Sequence, residues 1–182
     1  MRRTILKYPD AVLARKSLEI GDITDELRQL AKDMAETMYT NEGIGLAAPQ
    51  VGECCRLVVI DITGPDKRED LRVLVNPKIT AAEGKVVSEE GCLSVSGYRS
   101  DVARSEKVTV EATDLDGKPL SIEADGLLAV CLQHELDHLD GVLFIDRISR
   151  LKRSLYDKKV KKLQRERAKS LKEAEAAQGE GA

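Results

Sequence analysis

The run DGLLAVCLQHELDHL, from Asp125 to Leu139, decides how this chain folds. It opens on an aspartate of the type that caps helices, and it is followed by Asp140-Gly141, a typical helix stop. Apolar residues lie on most sides of the helix that this run predicts, rather than along one stripe. Such a helix is stable only when other elements cover it. We therefore predict a central, buried helix with the rest of the fold built around it.

The only two histidines of the chain lie in this run, in the order His134-Glu135-Leu136-Asp137-His138. Residues four apart share one face of a helix, which brings the two imidazoles close enough to bind one metal ion. A buried imidazole without a partner costs free energy, and binding a metal satisfies it. Glu135, beside the first histidine, suits a proton acceptor for water at a hydrolytic metal site. The alternative is that two histidines fall on one helix face by chance.

A hydrolytic metal site needs a third protein ligand and an open position for water. Asp146 and Asp157 are acidic candidates downstream of the histidines. Upstream, Cys92 follows Glu89-Glu90-Gly91 in a turn between β-rich runs, and it is the best remaining candidate. Its alternative role is that of a small buried apolar residue, which is the usual fate of a free cysteine. We accept that second role for Cys54, Cys55 and Cys131.

The segments around the central helix predict both strands and helices. A helix begins near Asp22 or Thr24, either of which can cap it, and ends before Asn41. The remaining elements are β-rich runs over 56–62 and 72–75, the latter bounded by Asn76-Pro77, a hairpin over 108–124, and a last helix over about 149–174. Strands gathered between helical regions predict an α+β fold, with mixed or antiparallel sheets packed around the central metal-binding helix.

Charge divides the chain into an acidic body and a basic end. Residues 1–146 contain 17 Lys/Arg and 27 Asp/Glu, whereas residues 147–182 contain 12 and 5. We predict a catalytic metallohydrolase domain over 1–148. Residues 149–182 would form a basic C-terminal helix and tail, not a separate domain. If the protein binds a polyanion, this basic end is where we expect it to bind.

Composition excludes several classes of protein. No apolar run approaches the ~18 residues that a membrane span needs, and the amino terminus lacks the apolar segment of a secretory signal. Four cysteines are too few for a disulfide scaffold. One Phe, four Tyr and no Trp leave little for a base-stacking surface. We expect a cytoplasmic protein with reduced thiols and no membrane association.

Three motifs together resemble the bacterial peptide deformylases: Gly43-Ile44-Gly45-Leu46-Ala47-Ala48-Pro49-Gln50, Glu90-Gly91-Cys92-Leu93-Ser94 and the His134-to-His138 motif. The resemblance implies removal of the formyl group from the N-terminal formylmethionine of nascent polypeptides, with release of formate. It implies that Cys92, His134 and His138 hold one divalent metal ion. The resemblance favours Fe²⁺ in the cell. Zn²⁺, Ni²⁺ or Co²⁺ can take its place in the isolated protein, since a thiolate and two imidazoles suit several of these ions.

The resemblance also assigns roles around the metal. Glu135 would take a proton from water and pass it to the leaving amine, while the Gln50 side chain and the Leu93 N–H would stabilise the negative charge on the formyl oxygen. The expected substrate-binding residues are Ile44, Gly45, Arg99, Leu127, Val130 and Cys131. Core packing is the alternative role for the apolar ones, and an exposed ion pair for Arg99. Ser96 stands where many members carry proline, which puts the order of this loop and the peptide preference in question.

The basic end has two interpretations. Runs of charge are usually solvated helix faces. The resemblance instead implies a ribosome-binding element, and our hypothesis is that residues 150–172 contact ribosomal RNA phosphates. Two other functions remain as alternatives: another Cys/His/His metallo-amidase or peptidase, and an inactive ribosome-associated paralogue.

Overall fold

The computed structural model describes residues 1–179, with side chains to residue 170. The chain forms two compact units, Met1–Arg147 and a second that begins at Ile148. Among the described residues, no helix is both long enough and apolar enough to cross a membrane. The first unit contains, within its described residues, seven strands and three α-helices: α1 Asp25–Thr40, α2 Gly64–Lys67 and α3 Gly126–Leu139. The second contains the helix α4, Arg150–Gly179.

Two antiparallel sheets make up the β-structure of the first unit. The strands are β1 Gly45–Ala47, β2 Leu57–Ile60, β3 Arg72–Glu83, β4 Val86–Cys92, β5 Val95–Arg104, β6 Lys107–Thr113 and β7 Pro119–Asp125. Five of them form one sheet in the order β1-β2-β3-β6-β7, and β4 and β5 form a separate two-stranded sheet. The predicted α+β class is therefore confirmed, and every pairing between these strands is antiparallel.

The core lies on both faces of the five-stranded sheet. All four residues of β2 are buried. Leu57 and Val59 pack in one apolar cluster with helix α1, Asp25–Thr40, whereas Val58 and Ile60 pack in a second cluster with helix α3, Gly126–Leu139. Successive side chains of a strand point to opposite faces, so this alternation places α1 and α3 on opposite sides of the sheet. The predicted central helix is thus covered by sheet.

The helix boundaries follow local chemistry. Thr24 caps α1, because its side chain accepts a hydrogen bond from the N–H of Leu27 at 3.3 Å. Asp125 occupies the predicted N-cap position of α3 but makes no capping hydrogen bond with its side chain. At the other end Gly141 has φ 72°, and a Cβ there would lie 2.6 Å from the carbonyl oxygen of Ala14. Both the left-handed backbone and the close approach require glycine.

The predicted end of a strand at Asn76-Pro77 is wrong. β3 continues through these residues to Glu83, with a shift of register between Val75 and Lys78. Asn76 has φ 51° at this irregularity, and Pro77 has no N–H to donate. A bulge accommodates both features without ending the strand, because it leaves the extra residue outside the ladder.

The second unit contains α4, Arg150–Gly179. Its start agrees with the predicted helix near residue 149, where the Ser149 hydroxyl accepts a hydrogen bond from the N–H of Lys152. Arg153 and Asp157, one turn apart, form an ion pair. The last three residues of the predicted tail, 180–182, lie outside the described residues.

Candidate active site

The structure brings together three side chains that are distant in sequence. Sγ of Cys92 lies 3.2 Å from Nε2 of His138, and ligand atoms of Cys92, His134 and His138 all lie within 4.8 Å of one another. The two imidazole rings are inclined by 72°, and their centroids lie 5.0 Å apart, a proximity that follows from their four-residue spacing on one helix face. Cys92 ends β4 at a tight turn, which presents its thiol to the face of α3 that carries the histidines.

A carboxylate fixes the orientation of His134. Oε2 of Glu90 lies 2.8 Å from Nδ1 of His134, and Arg104 binds both oxygens of the same carboxylate at 2.6 and 2.9 Å. Burial raises the pKa of Glu90, but the bonds from Arg104 and His134 outweigh burial and lower that pKa to about 2. The ionised carboxylate of Glu90 accepts a hydrogen bond from Nδ1–H of His134. This bond leaves Nε2 of His134 facing the cluster.

The donor set suits a transition-metal ion. One thiol sulfur and two imidazole nitrogens are typical ligands of Zn²⁺ and Fe²⁺. Burial lowers the pKa of His138 well below its usual value, which keeps that ring neutral and able to coordinate. Burial also lowers the pKa of His134, but bonds to Cys92 and Glu90 raise it well above the usual value. The groups that favour a proton on His134, chiefly Cys92 and Glu90, would also favour a metal cation bound beside it.

The other proposed third ligands lie elsewhere. Oδ2 of Asp146 accepts a hydrogen bond from the N–H of Leu143, and Asp157 pairs with Arg153. In the described part of the chain, the only cluster of this kind consists of Cys92 and the two histidines.

Glu135 is the buried acid of the site. Its residue is 4% exposed, and Oε2 has no hydrogen-bond partner among the described residues. Burial raises its pKa to about 7, with a smaller opposing effect from His134. Gly45 of β1 makes room for this carboxylate, because a Cβ at Gly45 would lie 2.4 Å from Oε1 of Glu135 and 2.9 Å from Sγ of Cys131. A carboxyl group with a pKa near 7 can both accept and donate a proton at neutral pH.

Gln50 connects the segment around Ala47 with the segment that carries Cys92 and Ser94. Its Oε1 accepts a hydrogen bond from the N–H of Ala47 at 2.8 Å, which fixes the amide so that Nε2 points to Sγ of Cys92, 3.5 Å away, and Oγ of Ser94, 3.2 Å away. Leu93 lies in the adjoining turn, between β4 and β5. The structure thus brings the amide of Gln50 beside one of the candidate ligands.

A cleft of about 790 Å³ opens onto the cluster. Its lining includes all the predicted substrate-binding residues: Ile44, Gly45, Arg99, Leu127, Val130 and Cys131. Val130 and Cys131 are buried, whereas Leu127 is 53% exposed. The side chain of Arg99 is 70% exposed and lies 3.5 Å from Glu89, so it takes part in an exposed ion pair at the mouth of the cleft.

Sequence reasoning missed part of the site. The motif around Cys92 contains Glu90 without indicating its role, although alternation along β4 places Glu90 on the same face as Cys92 and offers a signal for that role. Arg104 and Ser94 gave no such signal, because their partners depend on how β4 and β5 pack. Phe144 was likewise missed: its ring lies 6.2 Å from that of His134, in a stacked arrangement.

Comparison with known proteins places these residues in a family. The model of the family described as polypeptide deformylase matches residues 2–154. A peptide deformylase of Thermodesulfovibrio yellowstonii is 53% identical over 157 residues, which cover 86% of this chain and 95% of the relative. The peptide deformylases of Desulfosudis oleivorans and Acidobacterium capsulatum are 50% and 49% identical to this chain.

Solved structures agree with the sequence comparisons. A peptide deformylase from Legionella pneumophila has a TM-score of 0.85 and 47% identity, with 92% of this chain and 98% of that chain covered. One from Synechococcus elongatus, in complex with actinonin, has a TM-score of 0.81 and 46% identity, with 86% and 87% covered. Both the family match and these identities extend over most of the chain, so the chain belongs to the polypeptide deformylase family.

Proposed function

We propose that this protein is a peptide deformylase that hydrolyses the formyl amide of N-formylmethionyl peptides and releases formate. It is a metal-dependent hydrolase of its family, and it acts on a linear amide. The single observation that supports this most strongly is the convergence of Cys92, His134 and His138, with the buried acid Glu135 at the same cleft. The comparisons favour neither another amidase nor an inactive paralogue.

Cys92, His134 and His138 are the proposed ligands of one divalent ion. When bound, such an ion acts as a Lewis acid and lowers the pKa of a coordinated water to about 7. We propose Fe²⁺ in the cell, with Zn²⁺, Ni²⁺ or Co²⁺ able to replace it. A ferrous site with a thiolate ligand is sensitive to oxygen, so anaerobic protein should be more active than air-exposed protein; equal activity of the two would argue against Fe²⁺.

Glu135 is the proposed proton carrier. Its carboxylate would accept the proton of the attacking water and then donate it to the methionine nitrogen as the C–N bond breaks. Oε2 of Glu135 has no hydrogen-bond partner in the described part of the chain, and burial raises the pKa of this group to about 7. Both features suit this task, because one group must change protonation state twice at neutral pH.

Gln50 and Leu93 are the proposed donors to the formyl oxygen. As water attacks, negative charge develops on this oxygen, and donors already in position stabilise it without reorganising. The amide of Gln50 is held by the N–H of Ala47, so Nε2 is oriented before substrate arrives. The N–H of Leu93 would be the second donor.

The cleft is the proposed site of methionine recognition. β1 is the terminal strand of its sheet, so an extended peptide could add to its edge beside Gly45. Ile44, Leu127, Val130 and Cys131 would then surround the methionine side chain. Arg99, at the mouth, would contact the peptide backbone beyond it.

The test is hydrolysis of three substrates, followed through the amino group that each cleavage frees: a formyl-Met-peptide, the matching acetyl-Met-peptide and an unblocked peptide with only internal amide bonds. Formate is measured in addition for the first. A deformylase should act almost exclusively on the first. Comparable hydrolysis of an internal peptide bond would point to a peptidase and contradict the proposal.

We further propose that the basic helix α4 binds ribosomal RNA, so that the catalytic domain, residues 1–148, meets nascent chains in the cytoplasm. Four basic residues and one acid line one depression on α4: Lys158, Lys161, Lys162, Arg165 and Glu166, the last paired with Lys162. The net charge of three positive units there would attract phosphates. Charge reversal of the four basic residues to glutamate should abolish ribosome co-sedimentation at low salt and leave hydrolysis of short peptides unchanged. Unchanged co-sedimentation would contradict this proposal.

A further inference from the structure

Asp137 lies in the metal-binding helix between the two histidines, yet no step proposed above uses it. Its Oδ2 accepts hydrogen bonds from Nη1 of Arg104 and from Nε of Arg147, each at 2.5 Å. Its Oδ1 accepts a further bond from Nη2 of Arg147 at 2.5 Å. Arg147 therefore binds the Asp137 carboxylate in a bidentate manner, through both oxygens. This fixes the orientation of the carboxylate as well as its position.

The same contacts form one chain of alternating charges: Arg147, Asp137, Arg104, Glu90 and then His134. Arg147 is 43% exposed and Asp137 13%, whereas the side chains nearer the site are buried or nearly so, with Arg104 2%, Glu90 4% and His134 10% exposed. Each link is a charge-assisted hydrogen bond, and the chain ends on Nδ1 of His134. A half-exposed arginine is thus connected to a candidate metal ligand through one partly buried carboxylate and two buried side chains.

Arg104 is the link on which this connection depends. Its guanidinium is planar, so the direction of one N–H fixes the direction of the others. Nε and Nη2 hold Glu90, while Nη1 holds Asp137 on the opposite side. Without Asp137, the guanidinium would keep one carboxylate partner and could turn about it. Glu90 would then lose the rigid support that aims Nδ1 of His134.

We propose that Asp137, held by Arg147, is a positioning residue: it fixes Arg104 and Glu90, and through them the direction in which His134 presents Nε2 to the metal. This inference rests on the proposed function only in that the cluster binds a divalent ion. Partners one step behind a metal ligand typically contribute about 10–100-fold in metal affinity or activity. Asp137 lies two contacts further away, so we expect about 3–10-fold.

Three variants test the proposal: Asp137→Asn, Arg147→Met and Arg147→Lys. Asp140→Asn is the matched control, because Asp140 pairs with Arg56 at the end of the same helix and takes no part in the chain to His134. The measurements are the Kd for Co²⁺ by competition with a chelator, the visible spectrum of the Co²⁺ protein, and kcat and KM for a formyl-Met-peptide. Thermal unfolding of the metal-free protein reports the purely structural effect.

We expect D137N to weaken Co²⁺ binding by about 3–10-fold, to alter the Co²⁺ spectrum, and to lower kcat with little change in KM. R147M should show a smaller loss, R147K should recover part of it, and D140N should match wild type. Should D137N fail to fold, R147M carries the test, since Arg147 is the half-exposed member of the chain. Wild-type affinity and spectrum in the folded variants would overturn the proposal, even if their melting temperatures fell. Failure of wild-type protein to release formate would instead count against the proposed function, since the Co²⁺ affinities are measured without turnover.

Discussion

Gly45 and Glu135 are in such close contact that a side chain at position 45 would displace the acid: a Cβ there would lie 2.4 Å from Oε1 of Glu135. The absence of a side chain at Gly45 therefore does more than admit the substrate backbone. It leaves space for a carboxylate that has no hydrogen-bond partner on its other oxygen among the described residues. The position of the proposed proton carrier depends on a glycine that lies in another element of the fold.

Replacement of Gly45 by alanine should therefore lower kcat by roughly 10²-fold, because a misplacement of about 1 Å in a reacting group costs about that much. Metal content should stay at the wild-type level, since none of the proposed ligands is touched. Steady-state kinetics and metal analysis check both statements. Gly21→Ala is the control, because a Cβ there meets nothing within 4 Å. Equal activities of G45A and G21A would contradict this account of Gly45.

Replacement of Glu135 by glutamine separates proton transfer from metal binding. The amide keeps the shape of the side chain but cannot accept the proton of water, so we expect kcat to fall by about 10²–10⁴-fold with metal still bound. Metal analysis and formate release on the same sample provide the measurement. Loss of the ion along with activity would indicate that Glu135 is a ligand, and full activity would exclude it as the proton carrier.

Gln50→Ala tests the proposed donor to the formyl oxygen. Removing one such donor lowers kcat by about 10²–10³-fold in other hydrolases, with little effect on KM when the contact strengthens only in the transition state. Gln29→Ala is a suitable control, because Gln29 hydrogen-bonds Asp33 on α1 and does not line the cleft. An unchanged kcat in Q50A would remove Gln50 from the mechanism.

Tyr39 and Asp61 give a prediction about stability and pH. Burial raises the pKa of Asp61, but bonds from Thr63 and from the Tyr39 hydroxyl, at 2.7 Å, outweigh it and hold that pKa below its usual value of 3.8. A carboxyl group with a lowered pKa stabilises the fold at pH values above its pKa in the unfolded chain. This contribution is lost as pH falls through its pKa in the folded protein. Tyr39→Phe should cost about 1.5–3 kcal/mol at pH 7, the range for a bond to a charged group.

The pH dependence of the loss of unfolding free energy in Tyr39→Phe shows whether that loss comes from the bond to ionised Asp61. Urea unfolding of wild type and Y39F should show a constant difference from neutral pH down to about pH 4. The difference should shrink below the usual value of 3.8, as pH falls toward the lowered pKa at which Asp61 of the folded protein takes up a proton. A difference that grew on acidification would show that the hydroxyl does not stabilise the ionised carboxylate.

Local patterns were enough to predict the elements that carry the site. Two histidines four residues apart on an apolar run indicate a buried metal-binding helix, and Thr24 marks the start of α1 by ordinary capping chemistry. Cys92 was the best of three candidates for the third ligand from the residues alone, and the family resemblance was needed to choose it.

What the sequence could not show depends on long-range packing. The continuation of β3 past Asn76-Pro77 depends on a bulge that only its pairing with β6 stabilises. The contacts of Arg104 join residues 14 and 33 positions away, and no periodicity marks such pairs. A buried arginine between two carboxylates looks, in sequence, like any surface charge.

The central claim is that one sulfur and two imidazole nitrogens hold a single ion. Its most direct test is to titrate metal-free wild type and the Cys92→Ala variant with Co²⁺. The near-ultraviolet absorption of a cobalt–thiolate bond reports binding during the titration. We predict one Co²⁺ per chain with this absorption in wild type, and loss of the absorption with much weaker binding in C92A. A C92A protein that binds one Co²⁺ as tightly as wild type, with an unchanged spectrum, would contradict the account.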